Sequence, residues 1–450
     1  MTKKIVIIGG GPAGVEAALA AKQRELDVTI ISDGPIGGRA GWHSLLPSKV
    51  WLSAADEIAR SGESGSAREQ ASRAYLSPEN VVQRIRQVKQ SWNEGVASSL
   101  QQRGVDRIAG KASFVDEATV EVRDDTDEIV SSLEADAYIV ASGSVPIFPS
   151  GLKPDGKRVI APRFASHLNK LPQSMVVVGA GATGCESVYL FNQYGVDVTW
   201  IVDQFGILPQ FNQDLGRALG IALVRRGVRV VQGQMVERLE RDEGVTAVLA
   251  DGAHIAADMA FVAIGRRPDW DRLNLAAAAL SIDSDGQIPT DEYGRTDNKR
   301  IYLVGDAAGG AMVANKAMAQ SRIAGSHAAG ISIDGYDPAL IVQVTYTEPQ
   351  AAQLGDVRLA EGVKSVRIAY SAALKAHFMH TDDGFLEIFY GEADRQLRGA
   401  VALGSHAADV LTPLVVALRL HATVDQLAAI YAPHPTLSEL AFIAAREASD

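Results

Sequence analysis

Residues 4–32 read KIVIIGGGPAGVEAALAAKQRELDVTIIS: an apolar run, a glycine-rich turn, an alanine-rich segment and a second apolar run. This order predicts a strand over 5–8, a helix over 15–24 and a strand over 28–31, which together form a βαβ unit. Glycines in such a turn let the backbone approach a pyrophosphate at the positive end of the helix. The stretch therefore predicts a dinucleotide-binding unit in this part of the chain.

The same order of elements recurs further along the chain. Residues 175–178 are apolar, glycines occupy positions 179, 181 and 184, a helical segment runs to residue 194, and a second apolar run covers 198–202. One glycine turn alone could be a tight turn without a ligand, but two copies in a βαβ context indicate two dinucleotide sites. Two such sites are typical of one tightly held cofactor and one that exchanges.

The remaining segments complete an α/β pattern. A Ser- and Gly-rich stretch over 59–74 precedes a predicted long helix over 77–103, and alternating segments over 113–122 and 128–135 predict a small antiparallel meander. Beyond residue 336, strands are predicted over 342–347, 365–370, 385–390 and 399–404, followed by helices over 409–420 and 424–430. This order indicates an α+β terminal domain.

Composition narrows the range of functions. The 450 residues include 43 Lys and Arg against 54 Asp and Glu, and the net charge of −11 disfavours a surface that binds nucleic acid or an anionic membrane. The single cysteine, Cys185, excludes an intrachain disulfide and a CxxC redox pair, and it favours a reducing, cytoplasmic setting. The nine histidines form no HxH or HxxxH group, so we expect no metal site. The apolar runs are shorter than the roughly 20 residues that a membrane span needs.

Several further motifs accompany the two glycine turns. They are Gly37-Gly38 with Pro47-Ser48-Lys49, Ala141 to Pro146, Ile264 to Pro268, Ile301 to Asp306, and His434 to Glu439. With these motifs the chain resembles, from Lys3 to Glu439, the pyridine nucleotide-disulfide oxidoreductases, the flavoprotein family of dihydrolipoamide, glutathione and mercuric reductases. The resemblance implies an α/β fold with two Rossmann-like domains, for FAD and NAD(P), and a C-terminal α+β dimerisation domain.

The resemblance also implies which residues contact the cofactors. Asp306 would hydrogen-bond the ribityl chain of FAD, and Met312 to Asn315 would line the flavin. The implied FAD contacts are Gly9, Gly11, Pro12, Ala13, Gly14, Asp33, Gly38, Arg39, Ala40, Lys49, Ala112, Ser142, Gly143, Ser144, Asp306, Met312, Val313, Ala314 and Asn315. The implied NAD contacts are Gly179, Gly181, Ala182, Thr183, Gly184, Glu186, Asp203 and Gly265.

Four residues carry the implied catalysis. Lys49 would lie near flavin N5 and pair with Glu186, which also contacts the nicotinamide. A buried cation beside N5 stabilises the anionic reduced flavin, and its partner avoids an unpaired buried charge. His434 and Glu439 match the terminal dyad of the family, in which the histidine acts as an acid/base and reaches the flavin site of the other subunit. A structural histidine at the dimer interface is the alternative for His434.

The sequence departs from the family at the redox-active cysteines. The two thiols should fall at positions 40 and 45, where the chain has Ala40 and Leu45. Thiol–disulfide exchange needs a sulfur nucleophile, so electrons must leave the flavin directly. Small and apolar residues beside Trp42 could admit a flat acceptor such as a quinone, or could fill the space that the disulfide vacated. The family contains a branch that lacks the disulfide and reduces quinones, which favours a quinone-type acceptor.

The ribose partners are a second departure. The family has an acidic residue at position 32, whereas this chain has Ser32 followed by Asp33, and in the second unit Val202 is followed by Asp203. A negative charge near the ribose repels a 2′-phosphate and can accept a hydrogen bond from a free 2′-hydroxyl. We therefore expect NADH to be preferred to NADPH.

These features together predict three domains and one reaction. The expected FAD domain covers 1–148 and 269–335, the NAD(P) domain 149–268 and the interface domain 336–450. The expected function is transfer of electrons from NADH through FAD to a small acceptor of the quinone type. Two alternatives are an NADH oxidase that uses dioxygen and a non-catalytic FAD- and NADH-binding dimer that senses redox state. The chain is expected to form a homodimer, to bind no nucleic acid and to have no membrane span.

Overall fold

The computed structural model of the chain describes residues 2–61 and 76–449. The Ser- and Gly-rich stretch over 59–74 lies largely outside the described residues. The strands are β1 (Lys4–Ile8), β2 (Asp27–Ser32), β3 (Asp106–Ala109), β4 (Lys111–Phe114), β5 (Thr119–Arg123), β6 (Ile129–Glu134), β7 (Ala137–Val140), β8 (Ser144–Pro146), β9 (Val159–Ile160), β10 (Ser174–Val178), β11 (Asp197–Val202), β12 (Arg229–Gln232), β13 (Val236–Arg241), β14 (Val245–Leu249), β15 (His254–Ala257), β16 (Met259–Val262), β17 (Arg266–Pro268), β18 (Ile301–Leu303), β19 (Gln343–Thr345), β20 (Gln350–Gly355), β21 (Val363–Ala369), β22 (Phe385–Gly391) and β23 (Leu397–Gly404). The α-helices are α1 (Pro12–Ala21), α2 (Gly38–His43), α3 (Leu45–Ser61), α4 (Pro78–Gln102), α5 (Ala182–Gln193), α6 (Gln213–Arg225), α7 (Ala314–Ala328), α8 (Leu374–Met379), α9 (Ala407–Arg419), α10 (Val424–Ala428) and α11 (Glu439–Ser449).

The chain divides into two compact units, each assembled from separate segments. The first unit consists of Met1–Lys49, Val82–Ile147 and Arg266–Asp337. The second consists of Val50–Val81, Phe148–Gly265 and Pro338–Asp450. The division by function into FAD, NAD(P) and interface domains stays a prediction.

A five-stranded parallel sheet lies at the centre of the first unit, in the order β18-β7-β1-β2-β3. All four residues of β7 are buried, as expected for a parallel sheet that is covered on both faces. Helices α1 and α7 pack against each other beside this sheet. The sheet carries the first glycine turn at the end of β1.

Helix α1 begins earlier than the sequence analysis predicts. It runs from Pro12 to Ala21 rather than over 15–24. The fixed φ of proline suits the first helical position, where its missing N–H is not needed. The loop between strand and helix therefore contains only Gly9, Gly10 and Gly11, and the helix N-terminus lies directly behind them.

Two smaller sheets complete the first unit. Strands β4, β5 and β6 form the predicted antiparallel meander. Strands β8 and β17 pair antiparallel, with Arg266 opposite Pro146. This pairing brings together chain segments that are far apart in sequence, and it carries two of the expected cofactor motifs.

The second unit contains a second parallel sheet, in the order β12-β11-β10-β16-β9. Its βαβ unit is β10, α5 and β11, close to the predicted bounds. A three-stranded antiparallel sheet, β13-β14-β15, accompanies it. The described residues thus contain both nucleotide-binding folds that the glycine turns predict.

The terminal part of the second unit is an antiparallel sheet in the order β19-β20-β23-β22-β21, covered by α9 and α11. The predicted strands and both predicted helices are present. The sequence analysis does not predict β20, α8 or α11. The β20 sequence, QAAQLG, has a low β propensity, and it is a strand because β19 and β23 pair with it on either side.

Candidate active site

The first glycine turn has the geometry of a phosphate cradle. A Cβ on Gly14 would lie 1.8 Å from the carbonyl oxygen of Gly9, so only glycine allows α1 to approach β1 this closely. A Cβ on Gly11 would meet no protein atom within 4 Å, and no side chain caps the helix N-terminus at this residue. The first N–H groups of α1 are therefore presented to a ligand, and the turn fits a pyrophosphate.

The second glycine turn repeats this geometry. A Cβ on Gly184 would lie 2.1 Å from the carbonyl oxygen of Gly179, whereas a Cβ on Gly181 would meet no protein atom within 4 Å. No side chain caps α5 at Gly181. Cys185, the next residue in α5, is fully buried, and burial raises the pKa of its thiol. The second turn thus fits a second pyrophosphate, with an inert thiol packed behind it.

Asp33 follows β2 and Asp203 follows β11, the second strands of the two βαβ units, and these two residues lie in different surroundings. Asp33 is exposed and accepts a hydrogen bond from Arg272 Nη1 at 3.2 Å. Asp203 is partly buried and accepts from the backbone N–H of Phe205 at 3.0 Å. Val202, at the position of the family's acidic residue, is fully buried. Asp203 therefore supplies the carboxylate at the end of β11.

The structure brings two expected FAD residues, Ser144 and Asp306, together with Arg266. The hydroxyl of Ser144 donates to the Asp306 carboxylate and accepts from Arg266 Nε at 2.7 Å. Arg266 Nη2 also donates to the Ser144 carbonyl oxygen at 2.8 Å. Burial lowers the pKa of Arg266, while the nearby Asp306 opposes that shift. The sequence analysis quotes Arg266 within a motif but assigns it no contact, because its partner is far away along the chain.

A second contact ties Arg39 to the same region. Arg39 Nη1 forms an ion pair with Asp269 at 2.6 Å, and Nη2 donates to the Ser142 carbonyl oxygen at 2.6 Å. A Cβ on Gly143 would lie 3.6 Å from Arg39 Nη2. The expected residues Arg39, Ser142 and Gly143 are thus neighbours, and Asp269 is an additional partner that the sequence analysis does not name.

The remaining expected FAD residues occupy two other places in the first unit. Met312, Val313 and Ala314 are partly buried at the start of α7, where Asn315 is exposed. Ala112 is buried on β4. The contacts of these residues with FAD stay predictions.

The segment that would carry the redox disulfide is built from two helices. Ala40 lies in α2, and Leu45 is the first residue of α3, with its side chain exposed. Trp42 donates from Nε1 to the Ile36 carbonyl oxygen at 2.8 Å, and Lys89 Nζ lies 5.2 Å from the centre of its ring. The segment therefore offers apolar and aromatic side chains at the place where the family has sulfur.

Glu186 and Lys49 are held in different units. Glu186 is 9% exposed within α5, and its Oε1 accepts from the backbone N–H of Tyr346 at 3.1 Å. Burial raises the pKa of Tyr346, and the charge of Glu186 adds to this effect. Lys49 is partly buried in α3 in the first unit, and its pairing with Glu186 stays a prediction. The sequence does not predict the contact with Tyr346, which directly follows β19, because Tyr346 and α5 are distant in sequence.

The terminal dyad is formed within the second unit. His434 Nδ1 lies 2.7 Å from Glu439 Oε1, and Glu439 Oε2 accepts from the backbone N–H of Thr436 at 2.8 Å. Burial favours a higher pKa for Glu439, but the hydrogen bonds from Thr436 and His434 outweigh it, so the pKa is lowered. His434 is 63% exposed. The carboxylate thus orients the imidazole through one ring nitrogen, and Nε2 is the second ring nitrogen that could exchange a proton.

The described residues contain neither a metal-binding cluster nor a membrane-spanning helix. Within 2–61 and 76–449, no group of three or more His, Cys, Asp and Glu side chains could hold a metal ion. In the same ranges no helix is both long enough and apolar enough to cross a membrane.

Known proteins are similar to this chain in sequence and fold. Residues 3–321 match the family described as pyridine nucleotide-disulphide oxidoreductase, and residues 341–444 match its dimerisation domain. The chain is 31% identical over 464 residues to the dihydrolipoyl dehydrogenase of Halobacterium salinarum, covering 99% of this chain and 96% of that protein. It is 28% identical over 455 residues to the NAD(P)H dehydrogenase (quinone) of Mycobacterium tuberculosis, covering 97% and 92%. The crystal structure of LpdA from M. tuberculosis has a TM-score of 0.91 at 27% identity, covering 99% of this chain and 100% of that one.

Proposed function

The chain belongs to the pyridine nucleotide-disulphide oxidoreductase family, whose members depend on FAD and use NAD(P)H, and from this premise we propose that it reduces a quinone-type acceptor without a redox disulfide. The observation that carries the proposal is the identity of residues 40 and 45. Alanine and leucine occupy the positions of the family's thiol pair, and the chain has no second cysteine anywhere. A protein without thiols at this site needs an acceptor that takes electrons directly.

Both cofactor sites are argued from the glycine turns. FAD is assigned to the turn at Gly9–Gly14 with Arg39, Ser144 and Asp306, and the nicotinamide dinucleotide to the turn at Gly179–Gly184. When bound, FAD accepts a hydride from reduced nicotinamide and passes two electrons to an acceptor. The open N-termini of α1 and α5 support these assignments.

Lys49 and Glu186 are assigned to the nicotinamide side of the flavin. A cation at this place stabilises negative charge that develops on reduction, and a carboxylate partner keeps it from being an unpaired buried charge. Glu186 is suited to this role because a backbone N–H from Tyr346 fixes its orientation. A fixed carboxylate needs little reorganisation when substrate binds.

His434 is assigned the proton transfer. Reduction of a quinone to a hydroquinone takes two electrons and two protons, of which NADH supplies a hydride and the protein or solvent one proton. In the proposed homodimer, His434 of one subunit serves the flavin site of the other, with Glu439 orienting it. The dimerisation-domain match and the exposed His434 support this arrangement.

The choice of nucleotide rests on Asp203. Its carboxylate lies at the end of β11 and is held by the N–H of Phe205. A carboxylate here repels a 2′-phosphate, so we propose that NADH is the better donor. The fully buried Val202 at the preceding position leaves this role to Asp203.

Two other functions compete with quinone reduction. The first is an NADH oxidase that donates to dioxygen, and the second is a non-catalytic dimer that binds FAD and NADH and senses redox state. The relatives named dihydrolipoyl dehydrogenase suggest a further reaction, exchange with the lipoamide and dihydrolipoamide pair, in which the disulfide lipoamide is the electron acceptor. Without a thiol pair, that reaction lacks its nucleophile, which argues against it here.

The deciding experiment is an anaerobic titration of the purified flavoprotein with NADH and then NADPH, followed by flavin absorbance. A quinone is added to the reduced protein, and lipoamide and air serve as comparison acceptors. We expect NADH to bleach the flavin and the quinone to restore its colour faster than air does. Recovery only with air would favour the oxidase, and an NADH complex that never bleaches would favour the sensor.

A further inference from the structure

One lysine has surroundings that the catalytic assignments do not explain. Lys316 is only 5% exposed, and it lies in the first turn of α7, two residues after the helix begins. Its Nζ donates to the carbonyl oxygen of Gly305 at 3.3 Å and to that of Gly309. Most buried polar side chains in the described residues are uncharged, so a buried ammonium group needs an explanation.

Two independent effects disfavour the charged form of Lys316 at this position. Burial disfavours the charged form and lowers the pKa of Lys316. The N-terminus of a helix also carries a partial positive charge, which repels an ammonium group in the first turn. A lysine in this place therefore needs strong local compensation.

The compensation comes from the turn that carries Asp306. Residues Gly305–Ala308 form a 3₁₀ turn, and the carbonyl groups of its first residue and of the following Gly309 accept from Lys316. One helical turn later in α7, Gln320 Oε1 accepts from the backbone N–H of Gly305 at 3.0 Å. Asp306 adds a favourable charge interaction that opposes the effect of burial on Lys316. Lys316 thus binds both ends of the turn to α7, and Gln320 binds its first residue.

We propose that Lys316 is a positioning residue for FAD, which holds the Gly305–Gly309 turn and its carboxylate in the arrangement that receives the cofactor. The proposal rests on the assignment of Asp306 to FAD. It assigns the lysine no contact with the reacting atoms. Ser144, which accepts from Arg266, holds Asp306 through its side chain, and Lys316 holds it through the backbone of the turn.

The test measures release of FAD from the purified holoprotein. Lys316→Met keeps the apolar stem and removes the ammonium group, and Arg322→Met is the matched control, since Arg322 is a largely exposed cation on the same helix. FAD release is followed as the rise in flavin fluorescence after dilution into a fixed concentration of potassium bromide. We expect release from Lys316→Met to be faster by about tenfold or more, as for loss of a charged hydrogen bond, and release from Arg322→Met to match the wild type.

A double-mutant cycle separates positioning from general stability. If Lys316 acts through Asp306, adding Lys316→Met to Asp306→Asn accelerates FAD release by less than about twofold, because the two changes remove one shared interaction. A merely structural lysine gives effects that multiply. Multiplied effects, or wild-type release from Lys316→Met, overturn the proposal.

A second variant covers the case in which Lys316→Met does not fold. Gln320→Leu removes the other contact to the turn without changing the charge, and we expect it to accelerate FAD release in the same direction. Wild-type release from that variant would then overturn the proposal. FAD release can be measured without any electron acceptor. A wild-type protein that holds FAD but fails to reduce quinones would therefore refute the proposed function, while the release rates would still test the role of Lys316.

Discussion

Two glycines of the first turn should respond to alanine in opposite ways. Gly11 has φ −74° and ψ −179°, which any residue adopts, and a methyl group there meets no protein atom within 4 Å. Gly11→Ala should therefore leave the free energy of unfolding of the FAD-free protein unchanged or raise it by about 0.4–1 kcal/mol, through a smaller unfolded-state entropy. The same methyl group stands where the backbone must approach the pyrophosphate.

The expected loss of cofactor affinity follows from the hydrogen bonds at stake. Displacing a phosphate from two backbone N–H groups costs about 3–6 kcal/mol. That corresponds to an increase in the Kd for FAD of about 10²- to 10⁴-fold. Gly14→Ala differs, because its methyl group would lie 1.8 Å from the Gly9 carbonyl oxygen. It should lower the free energy of unfolding by about 1–3 kcal/mol, as for an overpacked site.

The assay compares flavin content after purification, FAD release on dilution and thermal unfolding. Gly34→Ala is the control, since a methyl group there also meets no protein atom within 4 Å but lies outside the turn. We expect it to match the wild type in all three measurements. A Gly11→Ala protein that retains FAD at the wild-type release rate would refute the assignment of this turn to the pyrophosphate.

Three further predictions concern other parts of the chain. Burial raises the pKa of Tyr138 to about 12, so the folded state keeps its proton above pH 10 while the unfolded state loses it. Between pH 10 and 12 the free energy of unfolding of the wild type should therefore fall by up to about 3 kcal/mol more than that of Tyr138→Phe. N-ethylmaleimide should not slow NADH-dependent turnover, because the only thiol, Cys185, is fully buried and its pKa is raised by burial. Glu439→Gln should lower the free energy of unfolding by about 1–2 kcal/mol in urea, because the carboxylate accepts from Thr436 and His434.

Each of these predictions has an outcome that contradicts it. Equal alkaline slopes for the wild type and Tyr138→Phe would mean that this phenol is not the group that couples pH to stability. Rapid inactivation by the maleimide would place a reactive thiol in the mechanism. An unchanged urea midpoint for Glu439→Gln would remove the dyad as a structural unit, and His434→Ala with unchanged turnover would leave the histidine without a role in proton transfer.

Local pattern was enough to predict both βαβ units, the meander and most of the terminal sheet. In these elements the deciding residues are neighbours in sequence, as the glycines of each turn are. The predicted start of α1 is wrong because proline suits the first position of a helix as well as it suits a turn, so Pro12 does not mark where the turn ends. Strand β20 was missed because its alanines and glutamines gain their strand conformation from β19 and β23.

The sequence names candidate site residues, whose roles stay predictions, but it does not predict the contacts among them. Ser144 and Asp306 belong to quoted motifs, yet nothing in either motif shows that one hydroxyl joins Asp306 to Arg266. Lys316 follows Asn315 in an ordinary polar helix pattern, and only the structure shows that it is buried. Side-chain partners separated by long stretches of chain depend on tertiary packing, which a linear pattern does not encode.

The assembly of the first unit from three separate segments has a consequence for synthesis on the ribosome. Its parallel sheet needs β18, Ile301–Leu303, whereas the parallel sheet of the second unit is complete once residue 262 has emerged. Strand β7, buried throughout in the finished protein, is thus made long before its neighbour β18. The later nucleotide fold can therefore be finished first, while the earlier one exposes an unpaired apolar edge that invites chaperones or aggregation.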